Sequence, residues 1–198
     1  MSEVKTNKVS PVGANGTVTL GDSGDTITIP AGATIANSGT ATGFGSDNTP
    51  AFSAYLSSDQ TGVSDATMTK VIFQTEYFDT DSAYDTSNGR FTVPSGEGGK
   101  YWVSFRLYIY AASGSNNTVA TQGKLLKNGS TTCAVAEVGG QGGTPNAMPV
   151  QFSAIVTLSA ADYLEVQGYM NTSGGEAVGF GGDAYYRSYF GAYKMIGL

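Results

Sequence analysis

The chain contains no histidine and a single cysteine, Cys133, so the groups left to do chemistry are carboxylates, hydroxyls and amides. Without histidine it lacks the commonest general base, the Ser-His-Asp arrangement of hydrolases and nearly every His-bearing metal site. A lone cysteine cannot build a thiolate zinc centre or an intramolecular disulfide, and Cys133 reads as a small buried side chain rather than a reactive thiol. Paired carboxylates could still cleave glycosides, which needs two acids held a fixed distance apart across the bond. Here the acids sit mostly at turns and strand ends, and nothing in their spacing sets two of them face to face. The expectation is a protein that binds rather than one that turns over a substrate, with no catalytic residue and no cofactor.

One acidic stretch invites a metal reading. "DTDSAYDTSNG" (79–89) carries Asp79, Asp81 and Asp85, and calcium takes hard oxygens of this kind. The stretch lacks the glycine at the sixth position and the closing Glu of an EF-hand loop, and its Asp and Asn residues are the types that shape turns. Calcium is left unsupported, and no metal ligand is assigned. Asn15, Asn116, Asn128 and Asn171 each open an Asn-X-Ser/Thr triplet, a pattern expected by chance in a chain this rich in those residues. "MSEVKTNKVS" has no hydrophobic stretch behind its lysines, so no secretion signal and no glycosylation are expected.

Binding residues are therefore sought in the long connections "AASGSNNTVATQG" (111–123), "GGQGGTPNAMP" (139–149) and "NTSGGEAVGFGGDAYY" (171–186). Long loops on a rigid β scaffold are where binding groups tend to sit. Asn116, Asn117, Gln141, Asn146, Glu176, Phe180, Asp183 and Tyr185 offer amides, carboxylates and stacking rings, a set suited to a sugar or a surface protein.

The elements that position these loops read as strands. With 28 Gly, 12 Tyr and only 13% charged residues, the composition favours strands and tight turns over helices. "KVIFQTEYFD", "GRFTVP", "KYWVSFRLYIYA", "QGKLLKNGS", "MPVQFSAIVTLSA", "DYLEVQGYM" and "YYRSYFGAYKMIGL" are the clearest runs, separated by turn signals as in an antiparallel sandwich or barrel. In the third run Tyr101, Val103, Phe105, Leu107 and Ile109 share one face, because successive side chains of a strand point to opposite sides. Trp102, Ser104, Arg106, Tyr108 and Tyr110 share the other. The first set reads as core. The second mixes arginine and serine with large aromatics, the composition enriched where subunits meet, so Trp102, Arg106, Tyr108 and Tyr110 are the candidate subunit contacts.

Residues 1–48 read differently. Apart from Phe44 they lack aromatics, and from Val9 to Thr69 there are five Asp and no Lys or Arg. "TVTLGDSGD" (17–25) aligns with "TITIPAGAT" (26–34), so that Val18 and Leu20 recur as Ile27 and Ile29. Each repeat reads as one short strand and a turn, with too little apolar surface to stand alone. Wrapped about a common axis, three copies would bury Val18, Leu20, Ile27 and Ile29 together as a stalk or anchor; the other reading is a disordered Gly/Thr-rich linker. The formal net charge of -6, with ten scattered Lys and Arg, lacks the basic footprint that nucleic acid or an anionic membrane requires. No apolar run approaches the length of a membrane span.

"PAFSAYLS" (50–57), "KVIFQTEYFDTDSAYDTSNGRFTVPSGEGGKYWVSFRLYI" (70–109), "LLKNGS" (125–130), "VTLSAADYLEVQ" (156–167) and "SYFGAYKMIGL" (188–198) follow, in order and spacing, a family pattern. Residues 49–198 resemble the C1q-like head domain, most specifically at Tyr84, Asp85, Gly89, Phe91, Pro94, Gly99, Tyr101 and Phe105. The resemblance implies an all-β jelly roll of about ten strands, a homotrimer on an elongated stalk, and a role in binding. Some such trimers hold calcium near their axis, but no ligand residue carries over. The Gly-X-Y repeats common before animal versions of this head are absent. The leader instead resembles the N-terminal segments of bacteriophage tail-fibre and appendage proteins. The expectation is then a virion protein assembled in the host cytoplasm, joined to other virion proteins through 1–48 and to a host-surface glycan or protein through the head. The alternative is a capsid-decoration or capsid-fibre protein with no obligatory receptor.

Overall fold

From Ala51 onward, alternation of apolar and polar residues gives strands and turns, with no helix among the described residues. The computed structural model describes residues 8–11, 13, 16–36, 38, 48–112, 118–139 and 146–196. The chain divides into two units, Met1–Thr42 and Gly43–Leu198.

In the second unit the strands are β1 (Ala51–Tyr55), β2 (Gln60–Val63), β3 (Thr69–Lys70), β4 (Thr75–Asp79), β5 (Tyr84–Asp85), β6 (Arg90–Thr92), β7 (Gly99–Ala111), β8 (Thr118–Lys127), β9 (Thr131–Gly139), β10 (Ala147–Leu158), β11 (Tyr163–Thr172), β12 (Val178–Phe180) and β13 (Tyr189–Lys194). One sheet runs β2-β12-β7-β13-β1-β4, with β10 on the other edge of β7; the second runs β5-β6-β11-β8-β9, with β3 also on β11. Every pairing is antiparallel. The run 70–79 does not form one strand: β3 pairs in the second sheet and β4 in the first. The chain crosses between them over residues 71–74, burying Val71 and Phe73 on the way.

The core lies between the sheets. Tyr101, Val103, Phe105, Leu107 and Ile109 of β7 are all buried, as period-two alternation requires. Phe52 stacks on Tyr84 and on Phe91, each with ring centroids 4.8 Å apart, and meets Phe190 edge-on at 5.0 Å. Gly123 and Gly168 of the second sheet make room for two of these rings. A Cβ on Gly123 would come within 2.5 Å of Phe105, and one on Gly168 within 2.5 Å of Phe180.

In the first unit, residues 16–36 hold turns and no strand. The expected strand per repeat is not formed: among the described residues the two repeats close their own turns and make no ladder with each other, which leaves strand N–H and C=O groups without the neighbour they need. Its turns are built. Gly21 and Gly24 take φ of 77° and 96°, the Asp25 N–H donates to Asp22 O at 3.0 Å, and the Asp22 N–H donates to Asp25 Oδ2 at 2.8 Å.

Candidate functional site: an aromatic sheet face and a loop-bearing end

The outer face of the first sheet is built in rows set by strand register. Ile155 of β10, Trp102 of β7, Tyr193 of β13 and Ala51 of β1 form one row. The next holds Ser153, Ser104, Gly191, Ser53 and, on β4, Phe78. Gln151, Arg106, Tyr189 and Tyr55 follow, and then Pro149 with Tyr108 and Ala147 with Tyr110. This surface is aromatic where an ordinary solvated sheet face is polar. Trp102 stacks on Tyr193 at 5.3 Å, Tyr186 meets Tyr55 at 4.5 Å and Tyr77 at 5.8 Å, and Tyr77 and Phe78 are exposed. The serines and Gly191 leave a trough between the rings, and beside it Ser104, Gln151, Phe152, Ser153 and Tyr189 line a shallow hollow of about 310 Å³.

The upper part of the face is held by polar contacts. Tyr108 and Tyr110 lie over Gly181 and Gly179, where a Cβ would come within 2.6 and 2.5 Å of the rings. The Tyr110 hydroxyl donates to Asp59 Oδ2 at 2.6 Å, while the Gly182 N–H donates to Asp59 Oδ1 at 2.8 Å. Burial, and then the Asp59 carboxylate that the neutral phenol bonds, push the Tyr110 hydroxyl up to about 12. Arg187 places its guanidinium 4.8 Å from the Tyr108 ring centroid and its Nε 3.0 Å from Asp183 Oδ2.

The two ends of the sandwich differ. At one end β7 finishes, β10 and β12 begin, and β8, β9 and β11 have their loop-side termini, so the strand ends that flank 112–117, 140–146 and 173–177 lie together. They are tied at their roots: the Ala111 N–H donates to Asn146 O at 2.8 Å and the Ala112 N–H to Ala177 O at 2.7 Å. Asp65 Oδ1 accepts from both the backbone N–H and the hydroxyl of Thr172, at 2.7 and 3.0 Å. At the opposite end the chain enters β1, where the Lys194 N–H donates to Pro50 O at 3.1 Å.

The candidate loop residues part company. Asn116, Asn117 and Gln141 lie outside the described residues. Asn146 and Glu176 stand at the loop-bearing end, both half-buried, with Glu176 folded over Gly174 of its own turn. Phe180 needs correction: it is not a loop residue but the last residue of β12, fully buried, and its ring fills the space between Gly168 and Leu107. The strand divides the stretch 171–186. Asp183 and Tyr185 consequently sit beside the aromatic face rather than with the loops, Asp183 bonded to the N–H groups of Tyr185 and Arg187 at 2.9 and 3.3 Å. Tyr185 is 89% exposed.

Other groups singled out from sequence have structural employment. Asp79 accepts from the Tyr84 N–H at 2.8 Å, and Asp85 from the Ser87 N–H and hydroxyl at 2.8 and 2.6 Å. Asn128 bonds Asp162 and the Tyr163 N–H through its side-chain amide. Cys133 is half-buried against the core, and burial pushes its thiol up. What the sequence did not reveal is an ion cluster around a buried carboxylate: Glu165 lies 2.9 Å from Lys70 Nζ and 3.2 Å from Arg90, whose guanidinium also covers the Tyr163 ring at 3.7 Å. Burial pushes the Glu165 carboxyl up, and the bonds from Lys70 and Arg90 outweigh it, leaving it below the ordinary range.

No protein-family model matches the sequence, and neither does any curated protein. Solved structures do match by fold. The globular domain of zebrafish complement 1qA is 15% identical with a TM-score of 0.50, over 74% of this chain and 97% of that one. Eiger TNF from S. frugiperda is 13% identical with a TM-score of 0.54, over 75% and 93%. Murine APRIL is 12% identical with a TM-score of 0.50, over 73% and 99%. The fold is the C1q/TNF-like jelly roll. Identities this low carry the fold and nothing finer. The likeness covers almost the whole of each neighbour.

Proposed function

We propose that the chain is a non-enzymatic, homotrimeric appendage protein of a bacteriophage virion, whose C1q/TNF-like head binds the host surface. The observation that carries the self-association is the aromatic outer face. Trp102, Tyr193, Phe78 and Tyr189 stand around a small-residue trough there, and Arg106, Tyr108 and Tyr110 continue the face in successive rows, the composition enriched at subunit contacts. Polarity along the sandwich supports the rest of the reading. The chain enters at one end and the long connections emerge at the other, so three heads joined side by side would present three sets of loops in one direction. Weak contacts from each set then add through avidity. The virion setting rests on the leader's Gly/Thr repeat, which resembles the N-terminal segments of bacteriophage appendage proteins. In this reading residues 1–48 join other virion proteins.

A second reading, a capsid-decorating or capsid-fibre protein with no obligatory receptor, is favoured by one observation. The carboxylate of Asp183 is committed to Arg187 and to backbone N–H groups, and Glu176 is folded onto its own turn, so these acids are poorly placed to reach a ligand. The readings are separated by labelling virus particles whose genome encodes the chain with an antibody against the head and locating the label by electron microscopy. Label on the tail fibres or tail tip supports host attachment, and label spread over the capsid supports decoration. Particles free of label would remove the virion assignment altogether.

A further inference from the structure

Tyr186 adopts a backbone conformation that a bulky residue seldom takes, and it gains little burial by doing so. Its φ is 55° and its side chain stays 40% exposed. Left-handed backbone at a non-glycine residue persists only where its surroundings fix it, and it gathers at functional sites. Here the fixing group is Asp183, whose Oδ1 accepts from the N–H groups of Tyr185 and Arg187, on either side of Tyr186, at 2.9 and 3.3 Å. The turn directs the Tyr186 ring against two others. It meets Tyr55 of β1 at 4.5 Å and Tyr77 of β4 at 5.8 Å, the second contact nearly perpendicular with 86° between the ring planes. Together with Ser53, the rings of Tyr77 and Tyr186 line a notch of about 220 Å³ at the β4 edge of the sheet.

The chemistry of this notch selects its occupant. Stacked rings would have closed on one another, whereas perpendicular ones leave an aromatic wall open to solvent, and Tyr77 is 68% exposed. The face of an aromatic ring is electron-rich, and the C–H groups along one face of a pyranose complement it. No partner among the described residues bonds the side-chain hydroxyls of Ser53, Tyr55, Tyr77 or Tyr186. An apolar occupant would strip these hydroxyls of water and return nothing, while the hydroxyls of a sugar replace that water. Charge narrows the class further. The only cation on β1, β4 and the turn 183–188 is Arg187, already paired with Asp183, so a phosphate or a sugar acid finds no counter-charge. The volume also lies below the 300 Å³ or so at which drug-sized sites begin, enough for one ring and not for an extended ligand.

We propose that Ser53, Tyr77 and Tyr186, with Tyr55 behind them, bind one neutral pyranose residue of a glycan. The site lies level with Ser104 and Arg106 of β7, in the middle of the sheet, rather than at the loop-bearing end where β7 finishes. It needs the head alone, and neither the trimer nor the virion setting is required for it.

The test is saturation-transfer difference NMR of the full chain with the methyl pyranosides of glucose, galactose, mannose and N-acetylglucosamine, with glucuronic acid as the charged control. The expected result is transfer to the ring C–H protons of at least one neutral pyranoside and none to the acid. Affinity should be at least about tenfold weaker in Tyr77→Ala and in Tyr186→Ala, each of which removes one wall, and unchanged in Tyr169→Ala on the second sheet. Tyr77 lies mostly in solvent, so its removal leaves the fold intact, which circular dichroism checks. No transfer to any neutral pyranoside, or the same affinity in both corner variants as in the parent, would overturn the site. Equal transfer to glucuronic acid would overturn its restriction to neutral sugars. A parent that binds no sugar, with a Tyr77→Ala variant that loses self-association by sedimentation, would make the corner a contact between copies instead.

Discussion

Phe180 and Gly168 form a pair whose coupling can be measured. The Phe180 ring is fully buried, and the backbone of Gly168 lies directly beneath it. Replacing Phe180 with Ala removes the ring from a site walled by two sheets that cannot collapse, so the cost should reach about 4 kcal/mol, within the range for buried Phe→Ala changes. With a urea dependence of about 2 kcal/mol per molar, the midpoint falls by about 2 M. Gly168→Ala alone places a Cβ 2.5 Å from Phe180 Cε1 and 3.2 Å from Leu107 Cδ1, an overpacking that should cost about 2 kcal/mol. In the Phe180→Ala background the worse of these clashes is gone, and the added methyl fills part of the cavity. The double variant should then be no less stable than Phe180→Ala alone, a coupling of about 2 kcal/mol in the double-mutant cycle. Urea unfolding of the four proteins at one fixed concentration measures it. Additive costs, or a loss below about 1 kcal/mol for Phe180→Ala, would refute the placement of this ring in the core.

Tyr185→Ala should leave stability within about 0.5 kcal/mol of the parent by the same assay, because the side chain is almost wholly in solvent. Glu165→Gln should destabilise by about 1 to 2 kcal/mol, since it leaves Lys70 and Arg90 without their shared carboxylate while both cations keep access to solvent. The Asp162 carboxyl is pulled down from 3.8 to about 2 by the Lys127 ammonium, then by the Ser159 N–H and Asn128 amide. A depressed carboxyl contributes stability that is present above about pH 4 and is lost as pH falls towards 2. Asp162→Asn should therefore show a smaller drop in thermal midpoint between pH 4 and pH 2 than the parent.

The faces of β7 were legible because a long strand with a period of two has only one way to sort Tyr101 through Tyr110. β12 was not legible. Its three residues are all buried, so they do not alternate, and the glycines around them read as loop; those glycines are there because Tyr108 and Tyr110 lie over them. β9 was missed for a related reason, since "TTCAVAEVG" is mostly small and polar and takes its order from pairing with β8. The Glu165 cluster gathers residues 70, 90 and 165, and only the pairing of β3 and β6 with β11 brings them together. The leader repeat was visible as a pattern, yet a pattern cannot state whether its strands form before a partner is present.

The central claim is that the aromatic face joins three heads, and sedimentation equilibrium of the full chain with a Trp102→Ala variant tests it most directly. Loss of one such contact costs about 2 kcal/mol per copy at an interface centre. Three copies lose about 6 kcal/mol, roughly four decades in the trimer constant, which raises the half-assembly concentration about a hundredfold. The account predicts a parent of three times the 20.4 kDa chain mass at micromolar concentration, and a variant that keeps its β-sheet circular dichroism while shifting towards monomer. A parent that sediments as a monomer, or a folded Trp102→Ala chain that assembles at the same concentration as the parent, would contradict it.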